Sequence, residues 1–474
     1  MVDALTGALP PAPRSPGSAP GPAEGPAGTG LAVVRDPAEG LQVSVRRSLD
    51  GAPVPEWRAL AVRAGHPPFC GPDWLRAVHE HLGAGEPLLV SVRRQGRLLA
   101  LGAFAVLGAG PGGSRPVVTF LGAGGSDYAS LPTDPDSPVP AVRLVAAALD
   151  AVLAEVPGAL FDLEQVLEDD PLLEAAGAWA AARGYGARLL RQATVHAVRL
   201  PATVAEHDAA LGRHARHEER RQWRRLAERG RLVVVDDLLD GLAELREADP
   251  DAAGRHLATL AAELAAVDAA HPNAARRRQP WRGASGRTLV RFLGTAPRGV
   301  AQLSGLRVDD RLVAYAFCLA GPRALHGYVQ SYRAEVAATG PGTLLLLRVR
   351  RRALLSGYAE LDLLRGEEAY KRRFERTTRH TVRLTLAPTG LPLLPAAVDR
   401  AVLLRRTYRD ELQRSARLGR SVQAVAGAAG NVRADLTRRA AAVRTAGRRA
   451  AGARGALSRA RLAAWAGGSG AGRR

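Results

Sequence analysis

The sequence has 474 residues, of which 46% are hydrophobic and 24% are charged. This length and composition are typical of a globular protein with two or three domains. The two cysteines, Cys70 and Cys318, lie far apart in the sequence, which excludes a disulfide framework and a cysteine-based metal site. Both are expected to be small core residues in a protein of the reducing cytoplasm.

The net charge of +20 is distributed unevenly. Residues 401–474 contain 17 arginines and three acidic residues, a net charge of +14, which leaves +6 for the first 400 residues. A strongly anionic partner, such as nucleic acid or a membrane surface, is therefore expected to bind the tail rather than the folded body.

Residues 1–30 are rich in proline, glycine and alanine. They are expected to be disordered, because they contain too little apolar surface to offset the entropy of ordering. The segment has no apolar core of signal-peptide length. The longest charge-free stretch, residues 98–114, is interrupted by glycines and by Pro111, so no transmembrane segment is predicted.

Residues 31–200 are predicted to form a first α/β unit, in which a hairpin is followed by a strand, a helix and a further strand. The hairpin turns at Arg94-Gln95-Gly96, between two apolar runs. The start Gly71-Pro72-Asp73 favours a helix, because proline and an acidic residue both suit the first turn. Strands are predicted at 41–46, 88–93, 97–107, 117–122, 159–166 and 187–200, and helices at 56–63, 72–81, 139–156 and 171–183.

Residues 201–287 are predicted to form a helical connection, with a charged helix at 208–229, a strand at 232–235, a long helix at 241–269 and a loop at 271–286. From residue 288 to 390 the element order of the first unit returns. The predicted elements there are strands at 300–308, 311–319, 324–332 and 358–364, a helix at 343–356, and a short polar helix with Glu367, Glu368, Tyr370 and Lys371.

A local similarity between residues 92–100 and 306–314 agrees with this repeated order and favours an internal duplication. We therefore predict an α/β fold of the α+β type, built from two tandem units that each have a mixed central sheet flanked by helices. After Thr385 the pattern decays. Residues 391–474 are rich in alanine, glycine and arginine and are predicted to be a disordered or marginally helical tail.

A glycine-bearing turn, Thr339-Gly340-Pro341-Gly342, lies between a predicted strand and a predicted helix. Backbone N–H groups and the positive end of the helix dipole converge at such a turn, which suits a phosphate. The alternative is a turn that serves only to start the helix.

Lys371 is the only lysine among 66 basic residues. In a chain that otherwise uses arginine, a lysine suggests a role for a compact ammonium, such as contact with a phosphate or a developing oxyanion. Two alternatives remain open, namely chance retention and a surface ion pair with Glu368 three residues earlier.

The order hairpin, strand, glycine-bearing loop, helix and strand resembles the core of the GNAT acyltransferase superfamily. The segments 68–75, 126–128, 339–342 and 362–371 resemble the GNAT subgroup that includes the CelD-like proteins of cellulose biosynthesis. The resemblance covers roughly residues 40–385. More distantly, the chain is similar to the Fem-type aminoacyl-tRNA-dependent transferases, which also carry two GNAT-like units.

The resemblance implies transfer of an acyl group from acetyl-CoA, or another acyl-CoA, to a small-molecule or sugar-linked amine. The second GNAT-like unit would hold the donor, and the first, degenerate unit would help to build the acceptor pocket. In the superfamily a loop pattern of Gln or Arg followed by two glycines holds the CoA pyrophosphate, and here Ala337 stands at the leading position. The implied donor-binding residues are Tyr332, Thr339, Gly340, Gly342 and Thr343.

Attack of an amine on a thioester requires a proton acceptor and donors for the oxyanion. Asp362 and Glu368 are the nearest carboxylates, whereas Tyr370 and Lys371 are candidates to stabilise a phosphate, the thioester oxygen or the leaving thiolate. Backbone donors are expected at residues 328–332. The predicted substrate-binding residues are Asp127, Tyr128, Tyr328 and Gln330, of which the first two fit a turn cap equally well.

His214 and His217 lie on one helical face, but the surrounding arginines would repel a cation, so no metal site is predicted. Two alternatives to acetyl transfer remain. The arginine-rich helix at 208–229 and the tail suit an RNA, as in Fem-like transfer from an aminoacyl-tRNA. A non-catalytic scaffold that binds an anionic polymer or membrane through its tail is the other alternative.

Overall fold

The computed structural model describes residues 32–36, 40–83, 85–107, 115–210, 212–277, 279–366, 368, 370–371 and 377–389. The predicted disordered N-terminus and the predicted tail after residue 390 lie outside the described residues. Of the predicted short polar helix, Glu367 also lies outside them, whereas Glu368, Tyr370 and Lys371 are described.

Thirteen strands of the described residues form one mixed sheet, in the order β1-β2-β3-β4-β5-β6-β13-β7-β12-β11-β10-β9-β8. The first seven strands are β1 (Ala32–Asp36), β2 (Leu41–Arg46), β3 (Glu86–Arg94), β4 (Arg97–Leu107), β5 (Val117–Phe120), β6 (Leu160–Leu167) and β7 (Tyr185–Arg199). The other six are β8 (Leu232–Val235), β9 (Ala301–Val308), β10 (Arg311–Ala320), β11 (Ala324–Tyr332), β12 (Glu360–Arg365) and β13 (Thr377–Pro388).

Helices cover both faces of this sheet. The α-helices are α1 (Val54–Arg63), α2 (Pro72–Leu82), α3 (Ala141–Glu155), α4 (Pro171–Ala182), α5 (Val204–Ala210), α6 (Arg213–Ala227), α7 (Leu242–Ala248), α8 (Pro250–Ala269), α9 (Gly283–Thr295) and α10 (Pro341–Leu355). Three short 3-10 helices lie at Pro68–Cys70, Ala274–Arg276 and Ala334–Thr339.

The two halves of the sheet repeat one topology. In the first half, antiparallel β2-β3-β4-β5 is followed by α3 and by β6, which pairs in parallel with β5. In the second half, antiparallel β8-β9-β10-β11 is followed by α10 and by β12, which pairs in parallel with β11. Helical crossovers join both parallel pairs, as parallel strands require. The predicted α/β fold with two tandem units is confirmed.

The repeat extends to single residues. The last parallel pair of β5 with β6 is Thr119 with Asp162, and the last parallel pair of β11 with β12 is His326 with Asp362. Both aspartates are buried, and each lies beside an arginine of β13, Arg383 for Asp162 and Arg379 for Asp362. The duplication therefore places a buried acidic residue where each parallel pair of strands separates.

The two halves pack against each other through α2 and α9. The rings of Trp74 on α2 and Phe292 on α9 have centroids 5.2 Å apart, and both side chains are buried. They belong to a hydrophobic cluster that contains residues of both halves, from Trp57 to Leu364. Burial of large aromatic side chains provides much of the stabilisation of such a contact.

The free thiols of Cys70 and Cys318 are buried as expected, and burial raises the pKa of Cys318 to about 12.

Most predicted elements are present within a few residues of their expected bounds. The long helix predicted at 241–269 is wrong, because the chain breaks between α7 and α8 at Asp249 and Pro250. Proline lacks an N–H and disfavours a helical conformation in the residue before it. Asp249 instead caps α8 by accepting a hydrogen bond from the Ala252 N–H at 2.9 Å.

Three further corrections concern the ends of predicted elements. The charged helix predicted at 208–229 is divided into α5 and α6. The loop predicted at 271–286 ends earlier, since α9 begins at Gly283. The sequence pattern continues past Thr385, where β13 runs to Pro388 and lies between β6 and β7, a strand that the sequence analysis did not identify.

Candidate active site

The glycine-bearing turn connects β11 with α10. After β11, the 3-10 helix Ala334–Thr339 leads to Gly340, whose φ of 68° lies in the left-handed region that favours glycine. Pro341 then occupies the first position of α10, where its fixed φ suits a helix start. A Cβ atom at Gly342 would lie 3.3 Å from the ring of Tyr332. The turn is therefore close-packed against β11, and the first turn of α10, with its backbone N–H groups, starts at this point.

Two of the predicted donor-binding residues also stabilise this turn locally. The hydroxyl of Thr339 donates to the carbonyl of Val336 at 2.8 Å, and the Thr343 N–H donates to the carbonyl of Gly340 at 3.0 Å. Thr339 is buried. These contacts hold the turn in a single conformation.

Strands β11 and β12 separate beside this turn. Their parallel pairing covers only residues 324–326 and 360–362, whereas β11 continues to Tyr332. A bulge opposite the step from Phe317 to Cys318 leaves Tyr328 outside the regular pairing with β10. On the side of β12, residues 327–332 of β11 therefore have no strand partner among the described residues, and a gap opens between the strands.

Aromatic side chains of both halves fill the start of this gap. Phe69, in the segment that resembles the CelD-like proteins, lies with its ring centroid 5.9 Å from Tyr128 and 6.0 Å from Tyr328. The ring of Trp74 lies 5.3 Å from that of Tyr328. Gln330, further along β11, accepts a hydrogen bond through its carbonyl from Arg277, in the loop between α8 and α9, at 2.8 Å. The structure thus brings Tyr128 and Tyr328 together from opposite halves.

Asp362 lies at the separation point and is almost fully buried, with 1% of its surface exposed. The Tyr128 hydroxyl donates to its Oδ2 at 2.8 Å, and the Leu364 N–H donates to its Oδ1 at 2.7 Å. His326 Nδ1 and a guanidinium nitrogen of Arg379 each lie 3.4 Å from Oδ2. Two predicted site residues, Tyr128 and Asp362, are therefore in direct contact.

These contacts determine the ionisation of the pair. Burial raises the pKa of Asp362, but the surrounding donors from His326, Leu364 and Tyr128 outweigh it, so its pKa lies below the usual value. Burial and the adjacent carboxylate raise the pKa of Tyr128 well above its usual value. At neutral pH the pair therefore consists of a carboxylate and a neutral phenol.

Asp127 is anchored to the same strand. Its Oδ1 lies 2.6 Å from Nε of Arg365, and Arg365 also donates to the carbonyl of Ser126 at 3.3 Å. The Ser126 hydroxyl accepts a hydrogen bond from the indole of Trp74 at 3.1 Å. The two contacts of Arg365 therefore connect the loop of the first half, which contains Asp127 and Tyr128, to the end of β12.

Lys371 is buried, with 2% of its surface exposed. Its ammonium lies 2.7, 3.3 and 3.4 Å from the carbonyl oxygens of Arg365, Gly366 and Leu364, and 2.8 Å from Oε2 of Glu368. The ammonium therefore holds the chain after β12 in a tight turn. Glu368 is more open, with 56% of its side chain exposed. Burial, and then the charge of Glu368, raise the pKa of Tyr370, so its phenol is neutral at physiological pH.

An open cavity of about 360 Å³ lies next to the glycine-bearing turn, and it is lined by residues at and just after the end of α6 and by residues of the 3-10 helix. The lining residues are Arg225, Glu228, Arg229, Ala338 and Thr339. The sequence analysis assigned the arginine-rich helix at 208–229 to an RNA and did not place its arginines beside this turn. The local sequence does not show which side of this helix faces a turn that lies more than 100 residues later, so the contact was not predictable.

His326 and Arg379 are further site residues that the sequence analysis missed. Each lies beside the Asp362 carboxylate, but neither belongs to a recognisable motif, and Arg379 reaches Asp362 only because β13 lies in the sheet. Among the described residues, no group of three or more His, Cys, Asp and Glu side chains is placed to hold a metal ion. No helix in that part of the chain is long and apolar enough to cross a membrane.

Part of the chain matches a known protein family. Residues 213–372 match the family model described as an acetyltransferase (GNAT) domain. That segment contains α6, the glycine-bearing turn and β12 with Asp362. The second half of the sheet, with the α6 helix before it, is thus the part of the chain that is similar to GNAT acetyltransferase domains. No curated protein matches the sequence.

Several solved structures are similar in fold. FemX is 10% identical with a TM-score of 0.49, covering 72% of this chain and 97% of that chain. A C-terminal DUF2156 domain from Agrobacterium fabrum is 14% identical with a TM-score of 0.43, covering 74% and 96%. A tandem GNAT protein from the clavulanic acid biosynthesis pathway is 16% identical with a TM-score of 0.37, covering 73% and 98%. Likenesses this distant say nothing about substrate.

Proposed function

We propose that this protein is an acyltransferase that moves the acyl group of acetyl-CoA, or of another acyl-CoA, to the amine of a small or sugar-linked acceptor. The observation that carries the proposal is the gap where β11 separates from β12 after His326, next to the Gly340 turn. A gap of this kind offers unpaired backbone groups to the donor beside a helix start that suits phosphate. The match of residues 213–372 to a GNAT domain supports the same class.

The donor is proposed to lie along the free edge of β11. Its pyrophosphate would bind the Gly342 N–H, at the start of α10, and the side-chain hydroxyl of Thr343, and its thioester carbonyl would accept from backbone N–H groups between Tyr328 and Tyr332. Tyr332, in contact with the Gly342 position, would support the turn from below. The acceptor is proposed to enter from the side of Asp127, Tyr128, Tyr328 and Gln330.

The proposed reaction needs one proton acceptor and one proton donor. The acceptor amine attacks the thioester carbonyl, the C–N bond forms, and the proton lost from nitrogen passes to Glu368, which is the more exposed of the two candidate carboxylates. The C–S bond then breaks, and the leaving thiolate takes a proton from Tyr370, whose raised pKa keeps the phenol protonated. Asp362 positions Tyr128, and Lys371 positions the turn that carries Glu368 and Tyr370.

A Fem-like transfer from an aminoacyl-tRNA is the second candidate. One observation favours it, because α6 carries six arginines in fifteen residues and most of their side chains are exposed. Such a surface suits RNA phosphates. The two candidate functions differ in the acyl donor. Turnover of free acetyl-CoA would therefore favour the first candidate over transfer from an aminoacyl-tRNA.

The substitution Tyr370→Phe tests the proposed chemistry. It should lower kcat for release of free CoA from acetyl-CoA by about 10²-fold or more, with KM for the donor changed little, because only the proton donor is lost. Thiol release is measured alone and with a panel of primary amines. Tyr358→Phe, just after the opposite end of α10, is the matched control and should retain wild-type turnover. Equal turnover by Tyr370→Phe and wild type would reject the assigned role.

A further inference from the structure

The face of α6 that points towards the glycine-bearing turn carries positive charge that the turn itself lacks. Residues 337–343, Ala-Ala-Thr-Gly-Pro-Gly-Thr, contain no charged side chain. The cavity beside them is lined on the other side by Arg225 of α6 and by Glu228 and Arg229, which follow the end of that helix. The charged side chains that line this cavity therefore come from the C-terminal end of α6 and the turn after it.

The packing of α6 fixes which of its residues face the turn. A Cβ atom at Gly340 would lie 2.9–3.0 Å from the side-chain amide of Gln222, so this glutamine lies directly against the turn. Leu226, one turn further on, is fully buried. Arg225 lies three residues after Gln222, within about 60° of it around the helix, and Arg229 lies two residues after the end of α6 at Ala227. The Arg229 N–H donates to the carbonyl of the buried Leu226 at 3.1 Å, so the packed end of the helix places both arginines at the cavity.

The guanidinium groups of Arg225 and Arg229 are available to a ligand. Neither forms an ion pair with another residue in the part of the chain that the structure describes, whereas Arg221 on the same helix is paired with Glu218 at 2.8 Å. Glu228 also lines the cavity, so its charged lining consists of two cations and one anion. Guanidinium groups bind phosphates through paired hydrogen bonds, and unpaired guanidinium groups lose no existing ion pair when they do so.

We propose that Arg225, on α6, and Arg229, in the turn after it, bind the phosphate groups of the acyl donor in the cavity beside Ala338 and Thr339. This inference rests on the proposed acyl-CoA donor and adds to it the side chains that recognise its nucleotide end. A cavity of about 360 Å³ is at the small end of ligand sites, which fits part of a donor rather than the whole molecule. Glu228 limits the affinity, because its carboxylate repels the same phosphates.

The experiment is calorimetric titration of the full chain with CoA, dephospho-CoA and inorganic pyrophosphate. The double variant Arg225→Gln/Arg229→Gln should raise the Kd for CoA by about tenfold or more, because two charge-assisted contacts are lost. The control Arg220→Gln/Arg224→Gln removes the same charge from the opposite side of α6 and should change that Kd less than about twofold. Glu228→Gln should lower the Kd, a gain that a loss of folding cannot produce.

The three ligands locate the phosphates. An effect of the double variant on CoA but not on dephospho-CoA assigns the arginines to the 3′-phosphate, and an effect on both, and on pyrophosphate, assigns them to the diphosphate. Either result supports the inference. Wild-type CoA binding by the double variant overturns it while the proposed function stands. If wild type binds no CoA, the proposed function fails together with this occupant, whether or not pyrophosphate binds.

Discussion

Replacing Asp362 with alanine should lower the free energy of unfolding by about 3–5 kcal/mol, the largest effect expected of a single substitution in the site. The carboxylate is buried and accepts from the Tyr128 hydroxyl and the Leu364 N–H. Its removal leaves these donors without an acceptor and His326 without the anion beside it, whereas Arg379 keeps its 2.6 Å ion pair with Glu360. Urea denaturation of wild type and variant measures the difference.

The controls for Asp362 separate this cluster from an ordinary ion pair. Asp310→Ala removes an acidic residue from the exposed pair with Arg231 and should stay within about 1 kcal/mol of wild type. Tyr128→Phe removes one donor only and should cost about 1 kcal/mol. If Asp362→Ala lowers the free energy of unfolding no more than Asp310→Ala does, Asp362 is not the centre of a stabilising buried cluster, which would contradict its assignment.

The effect of Asp362 should also depend on pH with a definite sign. Its pKa in the folded protein lies below the usual value of about 3.9 for an unfolded chain. The carboxylate therefore contributes its stabilisation above about pH 4, and this contribution is lost as the pH falls through the lower, folded pKa. The difference between wild type and Asp362→Ala should shrink below about pH 4.

Replacing Lys371 with arginine should destabilise the protein by about 2 kcal/mol or more, although the charge is unchanged. Three carbonyl oxygens, of Leu364, Arg365 and Gly366, converge on one ammonium nitrogen. A guanidinium group is planar and larger, and it cannot place its donors at a single point inside a site that is 2% exposed. The melting temperature of Lys371→Arg reports this loss.

Two comparisons sharpen the test of Lys371. Lys371→Met removes the charge while keeping a flexible side chain of similar length, and it should be at least as unstable as Lys371→Arg, because the carbonyls lose their donor. Glu368→Gln changes only the exposed partner of the ammonium and should leave the melting temperature nearly unchanged. A stable Lys371→Arg variant would mean that the solitary lysine is a chance retention.

Local features of the sequence predicted much of the fold. The β3–β4 and β9–β10 hairpins, the strand Ala324–Tyr332 and the helix after Gly340 follow from apolar runs separated by turn residues, which are short-range signals. The two repeated units, each with a mixed sheet flanked by helices, were likewise readable from element order, whereas the joining of both into one thirteen-stranded sheet was not. The break before Pro250 was also readable, because proline marks it directly, but the helical spacing of leucines around it was given more weight.

Long-range placement was not predictable in the same way. The pattern of β13, with the apolar residues Val382, Leu384 and Leu386 at alternate positions, is that of a strand, but nothing in it indicates a place between β6 and β7. The contact of Arg379 with Asp362 depends on that place. For the same reason the sequence distinguished Lys371 from the arginines without revealing the carbonyl oxygens around it.

The most direct test of the account is calorimetric titration of acetyl-CoA into the full chain as wild type, Gly342→Glu and Gly254→Glu. Gly254 lies on the exposed surface of α8 with open space around it, so Gly254→Glu is a control for the added charge. We expect saturable binding for wild type and Gly254→Glu and none for Gly342→Glu, whose side chain would meet Tyr332 and repel the pyrophosphate. Absence of binding to wild type at millimolar acetyl-CoA, or equal binding by all three proteins, would contradict it.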